Sequence, residues 1–281
     1  MTEPDYSDAI GRTERHTAII TAEKAAALAA TLDRDETPAD GDALPPGWHW
    51  LYFNPFVQRR NIGDDGHPKR GGFLPAVALP RRMWAGGRLT YHQPLTLGTE
   101  AEKVSEILNV KAKTGRAGSL VFVTVQHRLL QNGALCIEEE QDIVYREAAA
   151  PGAPRPAPAP APDNASRSEV VTPDPVLLFR YSALTSNGHR IHYDRTYARD
   201  EEDYRDLVVH GPLTATLLQG FATAGKGRLA RFEFRGMAPL FVDRPFTLEA
   251  GSPENGVLPL WAKGPDGELA MQASATLEMP Q

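Results

Sequence analysis

The stretch YSALTSNGHRIHYD, residues 181–194, sets His189 and His192 three positions apart, with Asn187 before them and Asp194 after, where a strand is expected to run out. An imidazole exchanges protons near neutral pH, a carboxylate orients it or ligates a metal, and an amide carbonyl can hold a water. Three readings open at this one loop. His192 could move protons; His189, His192 and Asp194 could hold a zinc-like ion; or Asn187-Gly188 could be only a turn. Three ligands from one short loop lack a second element to fix their geometry, so no metal is expected.

A second chemical feature follows the loop. In GPLTATLLQGFATAGKG, residues 211–227, Pro stands at the first turn and Gly past the end, the pattern of a helix. Leu213, Leu217, Leu218 and Phe221 fall on one stripe and read as core. His210 precedes the helix, and Gly211 opens it with a backbone N–H at the positive end of the dipole, where the absence of a side chain permits close approach. A growing negative charge could be held there.

The remaining chain must position these groups. Residues 148–165, APGAPRPAPAPAPDNA with its flanks, alternate Pro and Ala and read as an extended linker, dividing the chain into units 1–147 and 166–281. In the first unit, alternating apolar stretches flank Asn132-Gly133, the dipeptide of a tight hairpin. In the second, GVLPLWAKG and ELAMQASATLEM flank PDG in the same way. QPLTLG at 93–98 and RPFTLE at 244–249 lead into strands at matching places, which points to an internal duplication. TAEKAAALAATLD, residues 21–33, is the one helical pattern of the first unit, and it is expected to be shorter or degraded beside its counterpart.

Composition narrows the partners. A net charge of −6 with 41% hydrophobic residues fits a globular protein and excludes the basic patches of a nucleic-acid binder. Cys136 is the single cysteine, so no internal disulfide forms. No run approaches the ~20 apolar residues of a membrane span, and the first sixteen residues lack a signal-peptide layout. A cytoplasmic location is expected; whether two chains pair is open.

LTSNGHRIHYD followed by LVVHGPLTATLL resembles the hydratase motif of the MaoC-like, hot-dog-fold enoyl-thioester hydratases and dehydratases. Within that family it is most similar to the double-hot-dog type-2 hydroxyacyl-thioester dehydratases and the mesaconyl-C4-CoA hydratases, and LPRRMWAGG at 79–87 also resembles the latter. The resemblance implies an α+β double hot-dog, each unit a long helix wrapped by an antiparallel sheet, acting as a hydro-lyase on an acyl-CoA. Coenzyme A would be part of the substrate, and no cofactor is implied. His192 falls on the family's catalytic histidine, Asp194 on its orienting acid and Asn187 on its catalytic aspartate. That last departure matters, because an amide cannot accept a proton as a carboxylate does. His192 is then the base, Asn187 holds the water through its carbonyl, and the Gly211 N–H serves as oxyanion hole. Arg190 beside the base favours a dicarboxylyl thioester, whose free carboxylate an Arg grips with two bonds. His189, Tyr193, His210, Arg81, Arg82 and Trp84 complete the expected substrate contacts. A fatty-acyl dehydratase and a thioesterase or acyl-thioester binding module remain as alternatives.

Overall fold

The computed structural model describes residues 5–54, 56–115, 118–148, 157–224 and 227–278. Strand β1 (Thr13–Ile19) leads into helix α1 (Ala22–Thr31), and β2 (Arg81–Tyr91), β3 (Glu100–Gly115), β4 (Gly118–Gln131) and β5 (Ala134–Arg146) complete the first half. The second half runs β6 (Arg167–Val171), α2 (Pro175–Leu184), α3 (Arg195–Asp200), α4 (Gly211–Thr223), then β7 (Arg228–Gly236), β8 (Phe246–Ala250), β9 (Val257–Lys263) and β10 (Leu269–Glu278). All ten strands form one sheet in the order β1-β3-β4-β5-β2-β7-β10-β9-β8-β6, with every pairing antiparallel.

Read outward from the β2–β7 seam, the two halves have the same order of parts. β5 and β10, β4 and β9, β3 and β8, β1 and β6 occupy equivalent places. The hairpins arise where the turn chemistry demands: Asn132 and Gly133 both take positive φ between β4 and β5. β4 alternates buried and half-buried residues along its length, as a strand with one covered face must. The seam needs Ala85-Gly86-Gly87, since a Cβ on Gly86 would lie 2.5 Å from the Phe234 carbonyl oxygen of β7.

The halves differ in what covers the sheet. α4 packs on β7, β8, β9 and β10, burying Leu213, Leu218 and Phe221. α1 packs instead on α2 and the short 3-10 turn Trp48–Leu51. A stripe of Ala25, Leu28 and Ala29 offers too little bulk to fill a sheet face. The helix of the first half is, as expected, the shorter one, ten residues in α1 against thirteen in α4, and the segment carrying Trp48, Trp50, Tyr52 and Phe53 joins the same core. Of the Pro/Ala segment, residues 149–156 lie outside the described residues. Its later part is held at the surface, with Ala161 N–H donating to Gly267 O (2.9 Å) and Leu269 N–H to Ala159 O (2.8 Å). Among the described residues, no helix is long and apolar enough to cross a membrane.

Candidate active site

The segment before the loop is helical rather than the end of a strand. Asp174 caps α2 by accepting from Leu177 N–H (2.7 Å), and Pro175 starts it with its fixed φ. The helix stops at Thr185, whose hydroxyl bonds back to Tyr181 O (2.7 Å), and Ser186 then takes positive φ and turns the chain. Asn187 is placed by its N–H on Ser182 O (2.9 Å), and its Oδ1 accepts from His189 N–H (3.0 Å). That carbonyl, expected to hold water, is thus engaged in shaping the loop, while the amide nitrogen has no protein acceptor among the described residues.

His192 sits in a short 3-10 turn (Arg190–His192) clamped by Val208 N–H on Ile191 O (3.0 Å). Its Nδ1 lies 2.7 Å from Val208 O, so Nδ1 carries the hydrogen and Nε2 the lone pair. The ring stacks on His210 at 3.7 Å. Burial pulls the His192 pKa down to about 4, against the opposing bond to Val208, and the charge of His67 adds to the fall. It is a neutral imidazole at pH 7, ready to accept a proton. Gly211, one residue past His210, has an N–H without an acceptor among the described residues, and a Cβ there would meet only open space.

The first half reaches over this loop. Arg190 N–H donates to Asp65 O (2.9 Å), Arg190 Nη1 to Asp64 O (3.0 Å), and Gly66 lies so tightly on Gly188 that a Cβ would collide with its carbonyl. His67 Nδ1 is 3.0 Å from Asp65 Oδ2, and its ring lies 4.2 Å from that of His189, which in turn meets His192 edge-on at 5.6 Å. Burial and the charges of His67 and His192 lower the His189 pKa to about 2; burial also lowers that of His67, against Asp65.

A cavity of about 330 Å³ opens from Thr185, Asn187 and Pro212 onto the uncovered sheet face of the first half. Its far lining is polar: Lys103, His127, Gln141 and the buried Glu139, which accepts from Trp50 Nε1 (2.9 Å) and lies 3.1 Å from His49 Nε2. Burial alone would raise the Glu139 pKa, but the bond and charge of His49 and the charge of His127 outweigh it and draw it to about 2.

In the structure Asn187 bonds the His189 N–H, His189 meets His192, and His192 stacks on His210 next to Gly211, while Asn187 and Trp84 line the cavity. Other expected contacts are engaged within the protein. Arg190 bonds Asp194 through Nε (3.0 Å) and Nη2 (2.7 Å) and covers the Tyr197 ring, so its fork is occupied. Asp194 also caps α3 through Tyr197 N–H (3.0 Å) and acts by orienting the loop. Arg81 pairs with Glu202 on the opposite face of β2 from Arg82 and Trp84, as the two-residue period requires. Tyr193 is exposed and bonds Gly188 O (2.9 Å). His210 is fully buried on Ser182 Oγ (2.8 Å) and stacks on His192. Asp65, His67, His49 and Glu139 were missed; the only sequence signals were Asp-x-His at 65–67 and the aromatic run WHWLYF at 48–53.

With this geometry in place, likeness to known proteins is informative. Residues 47–242 match the family described as hydroxyacyl-thioester dehydratase type 2. The chain belongs to that family. Mesaconyl-C(4)-CoA hydratase of Chloroflexus aurantiacus is 49% identical over 282 residues, covering 99% of each chain. The mitochondrial hydroxyacyl-thioester dehydratase type 2 of Schizosaccharomyces pombe is 30% identical over 236 residues, 73% of this chain and 77% of that one. Among solved structures, a MaoC-like dehydratase from Phytophthora capsici superposes with a TM-score of 0.74 at 13% identity, over 99% of this chain and 100% of the other. A Mycobacterium tuberculosis protein with a double hotdog fold gives 0.60 at 14% identity, over 98% of both. The fold is the double hot-dog of the MaoC-like family, and the chain is a hydro-lyase.

Proposed function

We propose that the chain adds water to the C=C of a short dicarboxylyl-CoA, mesaconyl-C4-CoA or itaconyl-CoA, giving citramalyl-CoA. The observation that carries this reading is the state of three arginines. Arg81 and Arg190 are each paired with a carboxylate, whereas Arg82, facing His67, His189 and the Tyr145 hydroxyl, has no acidic partner among the described residues. A guanidinium on the His67–His189 side of the loop suits a substrate that carries its own carboxylate on the carbon under attack, because unneutralised charge there would repel the incoming hydroxide. The mesaconyl-C(4)-CoA hydratase relative points the same way.

In this mechanism His192 Nε2 takes a proton from water as the oxygen bonds to the β-carbon. In mesaconyl-C4-CoA, whose C=C is conjugated to the thioester, the electron pair of the C=C moves onto the thioester oxygen, where the Gly211 N–H and the α4 dipole hold the enolate. The imidazolium then returns the proton to the α-carbon. Asn187 offers its amide N–H to the bound substrate. Loss of the absorbance of the conjugated thioester, compared between mesaconyl-C4-CoA and crotonyl-CoA, tests the reading. Turnover of the first at least tens of times faster per unit enzyme supports it; preference for crotonyl-CoA would make the enzyme a dehydratase of neutral hydroxyacyl thioesters, and no reaction with either would leave a thioesterase or binding module.

A further inference from the structure

The metal reading excluded on sequence grounds failed for want of a second element, and the fold supplies one. Asp65 and His67 come from the first half and His189 from the second, with their ligand atoms all within 4.8 Å of one another. We propose that Asp65, His67 and His189 form a binding site for a divalent transition metal of the zinc class, bridging the first-half loop and the catalytic loop.

Four observations bear on this. Asp65 Oδ2 and His67 Nδ1 are 3.0 Å apart, close to the roughly 3.3 Å that separates two ligands at 2.0–2.1 Å on a tetrahedral ion. Gly66, with φ of +89°, folds the Asp-x-His segment so that both side chains face one way. The backbone bond from Arg190 to Asp65 and the contact of Gly66 on Gly188 fix the two loops against each other, which is the preorganisation a three-ligand site needs. One carboxylate with two imidazoles and an open position is a donor set that zinc, cobalt or nickel takes, whereas magnesium and calcium prefer oxygen.

Arg82 works against the ion, since its charge acts on both histidines. Asp65 must offset it, and removing Arg82 should tighten binding. The site also neighbours His192 across the 5.6 Å His189–His192 contact, so a bound dication would disfavour the imidazolium formed during hydration and slow the enzyme.

The test uses the full chain and the metal alone. Co²⁺ titration followed by visible absorbance should show one equivalent bound with the intense bands of a four- or five-coordinate ion, and Zn²⁺ should displace it. His67→Ala and His189→Ala should each weaken binding at least ten-fold, Asp65→Asn should weaken it, Arg82→Met should strengthen it several-fold, and His16→Ala, on β1, should leave it unchanged. Melting temperatures in chelator establish that each variant is folded. No stoichiometric binding, or Co²⁺ affinity and spectrum unaltered by both His67→Ala and His189→Ala, would overturn the proposal. Because the readout is metal binding, its failure is separate from failure of the hydration assay.

Discussion

The two halves of the sheet repeat one strand order, yet α4 fills the concave face of the second while the first keeps a cavity lined by Lys103, His127, Gln141 and Glu139. The filled half carries the loop with His192 and the helix start at Gly211. Among the described residues, the open half carries no equivalent of either. It contributes space and charge, and it sends residues 63–67 across to press on the catalytic loop. A repeated strand order can in this way divide labour, the second half positioning the candidate loop while the first keeps only the short α1. The segment around Trp48, Trp50 and Phe53 supplies buried apolar surface beside it.

If that division holds, the most damaging change lies in the filled half. His192→Ala should lower kcat by 10²–10⁴ in the folded protein, the usual worth of a positioned acid–base group. His127→Ala in the open half is the matched control: a buried imidazole bonded to Ser105 Oγ (2.9 Å), whose removal should cost stability and leave more than a tenth of the turnover. Equal losses from both would break the comparison.

How much of this was legible beforehand differs between the halves. The candidate loop and α4 were readable because their residues are close in sequence: two histidines and a helix start follow one another along the chain, and Pro212 and Gly211 mark the boundary. The hairpin at Asn132-Gly133 was readable for the same local reason. What could not be read were contacts between residues far apart in the chain. Nothing near Arg190 shows that Asp64 and Asp65 lie against it, though an acid four positions on, Asp194, could have warned that its fork would be occupied. The emptiness of the first sheet face was only hinted at by an alanine-rich α1, since a cavity is a property of what fails to arrive.

Substrate preference should respond next. Arg82→Met keeps the length of the stem and removes the charge, so kcat/KM for mesaconyl-C4-CoA should fall at least tens of fold, on the order of 2–5 kcal/mol for a lost buried charge pair. Crotonyl-CoA, with no second carboxylate, should change by less than three-fold. Arg190→Met provides the contrast: it releases Asp194 and the Asp64–Asp65 loop, and should depress both substrates alike. The reverse pattern would return the carboxylate to Arg190.

The smallest effect concerns acid. His192 and His127, one in each half, both have pKa values pulled to about 4, in each case chiefly by burial. In the unfolded chain a histidine takes its proton near 6.5, so between pH 6.5 and about 4 the unfolded state binds protons that the folded state refuses. Stability to urea should therefore fall as pH drops through that window and level off below it, by at most about 1.4 kcal/mol per pH unit for each histidine. The stabilities of His127→Gln and His192→Gln should each decline less steeply than that of the parent chain. Catalysis should separate the two groups: with a base titrating near 4, kcat/KM should hold nearly level down to about pH 5, and His127→Gln should not move that limb. An acid limb near 6.5 in the parent chain would mean that His192 is solvated in the working enzyme and that the cavity side of the loop opens when substrate binds.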